Sequence, residues 1–150
     1  MDEENLTLLD SCNGLLTFKI AGLDFCTDMA NIVEIINPIE LNQEENINSE
    51  NPHVNLGVLK ISIVDLYSMF GFMPKIRNKD DRIIIIETQN QFFGFIVEKI
   101  SNIYSLDKEL KSEIEFISCK GLIHLAGILK FRKKDMFYLD FLSVVSDKLK

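Results

Sequence analysis

The sequence is poor in the residues that most chemistry needs. It has only two histidines, His53 and His124, and neither belongs to a metal-ligand spacing. Its three cysteines, Cys12, Cys26 and Cys119, are odd in number, widely spaced and without a CxxC pair. That pattern signals neither a zinc site nor a redox dithiol and suits a reducing cytoplasm. No GxxxxGK[ST] or GxGxxG loop occurs, so no phosphate-cradling turn is encoded. No apolar run approaches the roughly 20 residues that span a bilayer. The acidic start, MDEEN, is the opposite of a positively charged secretory leader. Positive charge is also short: 16 Lys and Arg stand against 23 Asp and Glu, a net charge of −7. This argues against a nucleic-acid face, which must displace counterions, and against docking on an anionic membrane.

What is present is apolar residue in short, alternating runs. The 150 residues are 47 % hydrophobic, enough for a core in one domain or in two very small subdomains. After a polar N-terminus (residues 1–14), residues 15–20 (LLTFKI) and 23–27 (LDFCT) form a hairpin about Ala21-Gly22. Asp28 caps one helical turn, and residues 33–36 (VEII) make a strand that ends before Pro38. Residues 40–52 (ELNQEENINSENP) are polar, acidic and turn-rich, and are expected to be an exposed loop.

The stretch 53–71 (HVNLGVLKISIVDLYSMFG) organises the chain. Its apolar residues fall on even positions to Val58, then on odd ones from Leu59. This predicts a long strand that bends at Gly57 and swaps faces, as at the corner of a small barrel. Asp65 then N-caps a short helix that Gly71 closes.

Residues 74–82 are a charged connection. Residues 83–87 (IIIIE) are a strand buried on both faces, and 92–97 (FFGFIV) returns from it, with Gly94 permitting close approach. Residues 100–106 form a strand, whereas 107–118 (DKELKSEIEFIS) are expected to be loop. Residues 123–131 and 136–140 pair about a basic turn, and 141–150 form a C-terminal helix with lysines at its end. Short strands at close intervals predict an all-β barrel or sandwich. Val64-Asp65-Leu66 and Leu139-Asp140-Phe141 each lead from a strand into a helix, a weak internal echo suggesting two similar halves.

No catalytic constellation emerges. Cys26 and Cys119 are the only candidate nucleophiles, and no local signature surrounds them. The one dense basic cluster, residues 130–134 (KFRKK), suits a solvated turn. A different reading, an acidic OB-like barrel that binds another protein or single-stranded nucleic acid, would need a wider basic, aromatic-studded face.

Four segments resemble the CheW family of bacterial chemotaxis adaptors. LLTFKIAGLDFCTDMANIVEII is similar to its opening hairpin and hydrophobic-x-Glu-Ile segment. VNLGVLKISIVDLYSMFG resembles NLRGxxxPVxDLRxxLG. DDRIIIIETQNQFFGFIVEKISNIYSL resembles its central hairpin, and AGILKF with MFYLDFLSVV its closing strands and helix. The resemblance implies, over residues 15–150, two small five-stranded SH3-like β-barrel subdomains around a shared core, with short helices. It implies no enzymatic activity, no cofactor and no metal. The implied partners are the regulatory domain of the histidine kinase CheA and the cytoplasmic tip of methyl-accepting chemotaxis proteins, the latter as a helical hairpin in a groove between the barrels. Neither nucleic acid nor direct membrane insertion is implied. The implied place is the cytoplasm, at chemoreceptor arrays, and no fused receiver domain is expected. The receptor-facing residues carried over are Ile32, Glu34, Asn55, Leu56, Gly57, Ile96, Val97 and Lys99. The sequence departs from the family where Gly57 stands for Arg, Val58 for Gly, Ser62 for Pro and Pro52-His53 for Gly-Val. Loss of the Arg removes a bidentate donor and is expected to alter receptor choice.

Overall fold

A computed structural model describes residues 11–119 and 124–146, which divide into two units. Of the N-terminus expected to be flexible (residues 1–14), residues 1–10 lie outside the described residues, as do the C-terminal lysines, while Cys12 is buried.

The first unit holds residues 11–18, 22–30 and 101–146 of the described chain. Its sheet is built from β1 (Gly14–Ile20), β2 (Leu23–Asp28), β8 (Lys99–Ser105), β9 (Glu115–Ser118), β10 (Leu125–Phe131) and β11 (Lys134–Leu139), in the order β8-β1-β2-β11-β10-β9, with the last two residues of β1 and the first two of β8 counted in the second unit. Both faces of β1 are covered. Leu15 packs with Cys26, Leu129 and Tyr138, while Phe18 on the other face stacks 6.0 Å from Phe25 and 5.9 Å from Phe141. β11 lies parallel to β2, and Thr27 Oγ1 donates to Leu139 O at 2.8 Å across that seam.

Residues 107–118 are not loop. Asp107 caps a helix (Lys108–Ser112), accepting from Leu110 N at 2.7 Å, and β9 follows as an edge strand beside β10. The density of charge hid Ile114 and Phe116, both buried. β9 is one reason this sheet has six strands where five were expected.

The second unit holds Lys19–Ala21 and Asn31–Ile100. Its five strands are β3 (Ile32–Ile36), β4 (His53–Leu56), β5 (Leu59–Val64), β6 (Arg82–Thr88) and β7 (Gln91–Val97), in the order β3-β6-β7-β5-β4. The four isoleucines of β6 are buried on both faces, as their run implies. A Cβ on Gly94 would sit 2.8 Å from Ile83 and 2.9 Å from Ile63, so the missing side chain lets neighbouring chains close in.

The stretch about Gly57 differs from its expected form. It is a tight antiparallel hairpin, β4 against β5 with Leu56 opposite Leu59, rather than one bent strand. Gly57 does redirect the chain, at φ +60°, but by reversal. A two-residue turn shifts the apolar phase just as a bend would, so the alternation alone could not separate them. The exits match expectation. Asp65 accepts from Ser68 N at 3.1 Å to start a helix (Leu66–Met69), and Asp140 accepts from Ser143 N at 3.2 Å to start another (Phe141–Ser146). Each helix follows a strand that pairs in parallel within its sheet, β5 with β7 and β11 with β2. The acidic stretch 40–52 is likewise more structured than expected, with helices at Pro38–Leu41, capped by Asn37, and Glu44–Ile47, whose Ile47 is buried. No helix among the described residues is long and apolar enough to cross a membrane.

Candidate interaction surface

All eight receptor-facing candidates fall in the second unit, and its register separates them. Ile32 pairs with Ile86, Ile86 with Phe93, Phe93 with Ser62, and Ser62 with His53, so these residues share one row across the sheet. Asn55, Leu56 and Gly57 lie beyond that row, toward the Gln89-Asn90 turn. Ile96 lies the other way, three residues along β7 from Phe93, or about 10 Å. Lys99, exposed, begins β8.

Their exposure separates them further. Glu34 is exposed beside a bulge that throws Val33 outward, and among the described residues no hydrogen bond or ion pair holds its carboxylate. Asn55 and Gly57 are exposed, and Leu56 is half-buried against the Val54-Ile61-Ile83 core. Ile96 is half-buried and borders a cleft of about 230 Å³. Val97 is 0 % exposed, so its side chain packs inward and has no surface to offer a partner. The structure thus places Ile32 and the hairpin residues toward the same end of the strands but on opposite edges of the sheet, β3 and β4, and leaves Ile96 toward the other end.

The cleft carries residues that sequence reasoning missed. Ile63, Leu66 and Tyr67 line it on one side, and Pro74, Lys75 and Arg77 belong to an irregular strap, residues 72–81, on the other. Asp81, 1 % exposed, organises the strap. It meets the Lys75 ammonium, accepts from Asn78 N at 3.1 Å and lies 4.0 Å from Arg77, which also pairs with Glu44 at 3.2 Å. The only sequence signal was an Asp-Asp pair beside the isoleucine strand. The Tyr67 hydroxyl donates to Glu98 at 3.2 Å and accepts from Ala21 N at 3.4 Å, and burial raises its pKa.

The candidate catalytic groups do not converge. No three His, Cys, Asp or Glu side chains among the described residues gather as for a metal. His124 Nδ1 sits 2.9 Å from Ser143 Oγ, and His53 Nδ1 sits 2.8 Å from Asn51 O. Burial raises the Cys26 thiol pKa, and burial followed by the Asp28 charge pushes Cys12 from 9.0 up to about 11. The fold holds these protons more tightly than the unfolded chain does. Their contribution to stability is therefore complete below about pH 9 and is lost as pH rises through about 11 for Cys12. At pH 8 in native protein, Cys119 is expected to react first with a thiol reagent. Cys12 and Cys26 should follow only on unfolding, and equal native rates for all three would refute this. In the basic run, Arg132 and Lys133 form the β10–β11 turn. Arg132 lies 3.7 Å from Glu113 and Lys134 3.8 Å from Asp24, so acidic neighbours flank the cluster.

The CheW-like domain family matches residues 14–149. No curated protein matches the sequence. Among solved structures, the scaffolding protein TtCheW from Thermoanaerobacter tengcongensis is similar with a TM-score of 0.66 and 22 % identity, over 85 % of this chain and 88 % of that one. That likeness carries the fold. With the family match spanning nearly every residue of both units, the chain belongs to the CheW-like domain family.

Proposed function

We propose that this chain is a non-enzymatic adaptor that couples methyl-accepting chemoreceptors to the histidine kinase CheA, and that it serves a subset of receptors. The observation that carries the reading is the family match through residues 14–149, which includes both sheets rather than one. An adaptor of this kind holds kinase and receptor in register, so that a small receptor change shifts the kinase between states. Each contact needs only modest strength, because repeated contacts in an array add by multivalency. The chain works in the cytoplasm, joins the membrane only through its partners, and takes no nucleic acid.

The receptor-facing part is the β3 edge with Ile32 and Glu34, together with the β4–β5 hairpin with Asn55, Leu56 and Gly57. Ile96 and Lys99 are peripheral to it. The free Glu34 carboxylate suits a basic residue on a receptor helix. Glu34→Ala is expected to weaken binding to a receptor tip about fivefold, the range of an exposed charged contact, and to leave kinase binding unchanged. Equal loss toward both partners would show a general effect on the fold instead.

The deciding experiment is a titration of the full chain against the isolated regulatory domain of a CheA from the same cell. Saturable binding at micromolar concentration or below supports the adaptor reading. A folded chain that fails to bind at far higher concentration overturns it.

A further inference from the structure

The β4–β5 hairpin ends in a residue that the fold does not use. Only the first central residue of its turn, Gly57, has positive φ, +60°. That is the pattern of a type II′ turn, with glycine first and a polar residue well suited to the second place. Here the second place is Val58, 100 % exposed, with Leu59 beside it 41 % exposed. A β-branched apolar side chain fully in water gives nothing to folding.

The hairpin beneath it is fixed. β4 is an edge of its sheet, and an edge strand leaves backbone groups unpaired. Gln43 fills both at Asn55: its Nε2 donates to Asn55 O at 2.8 Å, and its Oε1 accepts from Asn55 N at 2.7 Å. This side-chain amide stands where a neighbouring strand would, so the edge is closed to strand addition at Asn55. A partner must meet the hairpin through side chains. The clamp also sets the tip's position before a partner arrives, which lowers the ordering cost of binding.

The order of the two turn residues decides what the tip can accept. Arginine at the first place would offer a planar set of donors to a carboxylate. Gly57 offers none, and Val58 offers only methyl groups, which gain by leaving water against another apolar surface. We infer that Val58, presented on the hairpin clamped by Gln43, is a specificity-determining contact that selects receptor helices with an apolar recess opposite the tip. The inference rests on the receptor-facing reading of this hairpin.

The test titrates the full chain, Val58→Ser and the double variant Gly57→Arg/Val58→Gly against the soluble helical tips of the receptors of the same cell. The CheA regulatory domain serves as control. The double variant is used because an arginine alone at position 57 would be held at a φ that side chains resist. Val58→Ser is expected to lose about tenfold in affinity for the tip that the unaltered chain binds best, equally at low and high salt, with kinase binding unchanged. The double variant should prefer a different tip and bind it in a salt-sensitive way. If Val58→Ser stays within about twofold of the unaltered chain, the inference falls and the receptor reading stands. If the unaltered chain binds the kinase domain and no receptor tip, both fall.

Discussion

Replacing Asp81 with alanine is expected to destabilise the protein by about 3 kcal/mol, the lower end of the range for breaking a buried ion pair. Asp81 is 1 % exposed and the Lys75 side chain 10 % exposed. Without the carboxylate, the ammonium must either stay buried without its counter-charge or pull the strap outward to reach water. The Asn78 amide loses its acceptor as well. The lower end applies because Lys75 has a long stem and already donates to Ile76 O at 2.9 Å. In a chain of this size the loss should lower Tm by about 6–12 °C. Asp81→Asn keeps the shape and an acceptor for Asn78, and should recover part of the loss. Asp80 is the internal control. It is the same residue type one position earlier, but exposed, and Asp80→Ala should change stability by less than about 0.5 kcal/mol. Equal Tm for the two alanine variants would show that the buried network does not hold the strap.

Asp81 also illustrates what the sequence could and could not convey. Alternation and isoleucine density located β6 and β7, because burial on both faces leaves a continuous apolar run that charge does not interrupt. Asp65 and Asp140 were legible as caps, since capping depends on residues three apart. Residues 107–118 were not legible, because their buried Ile114 and Phe116 are two isolated apolar residues among charges. Whether Asp80 or Asp81 is the buried one depends on which of them faces Lys75 after the strap folds back, and no local pattern encodes that.

The candidate surface shows the same divide. The resemblance picked out strand positions but not the direction of each side chain. It therefore placed Val97, fully buried, beside Ile96, half-buried, although adjacent strand residues point to opposite faces. It also marked Gly57 and Val58 as departures from the family pattern without showing how the chain turns there. Only the φ of Gly57 reveals that Val58 now occupies the outward second position.

Gly127 gives the sharpest separation between residues that build the sheet and residues that meet a partner. It lies in β10 between β9 and β11, pairing with Ser118 and Tyr138 next to a bulge. A Cβ there would fall 2.3 Å from Ile117 O and 2.7 Å from the Phe116 ring. The first obstacle is backbone, so relief requires β9 to move away from β10. The second is a core ring packed edge-on at 5.9 Å against Tyr138. Gly127→Ala is accordingly expected to cost about 3 kcal/mol or more, at the upper end for overpacking. Gly94→Ala faces contacts nearly as short, but with side chains only: the Cδ1 end of Ile63 can rotate away, while the Cγ2 of the buried, β-branched Ile83 yields less. It should cost about 1–2 kcal/mol. Gly57→Ala meets open space and bears only the left-handed backbone, about 1 kcal/mol. Denaturant unfolding of the three variants should rank them in that order. Gly127→Ala protein that remains folded should bind the kinase domain and receptor tips as the unaltered chain does, because residue 127 is buried and reaches no partner. A Gly127→Ala protein with unchanged stability would mean that β9 yields freely, and that the sixth strand contributes little to the first unit.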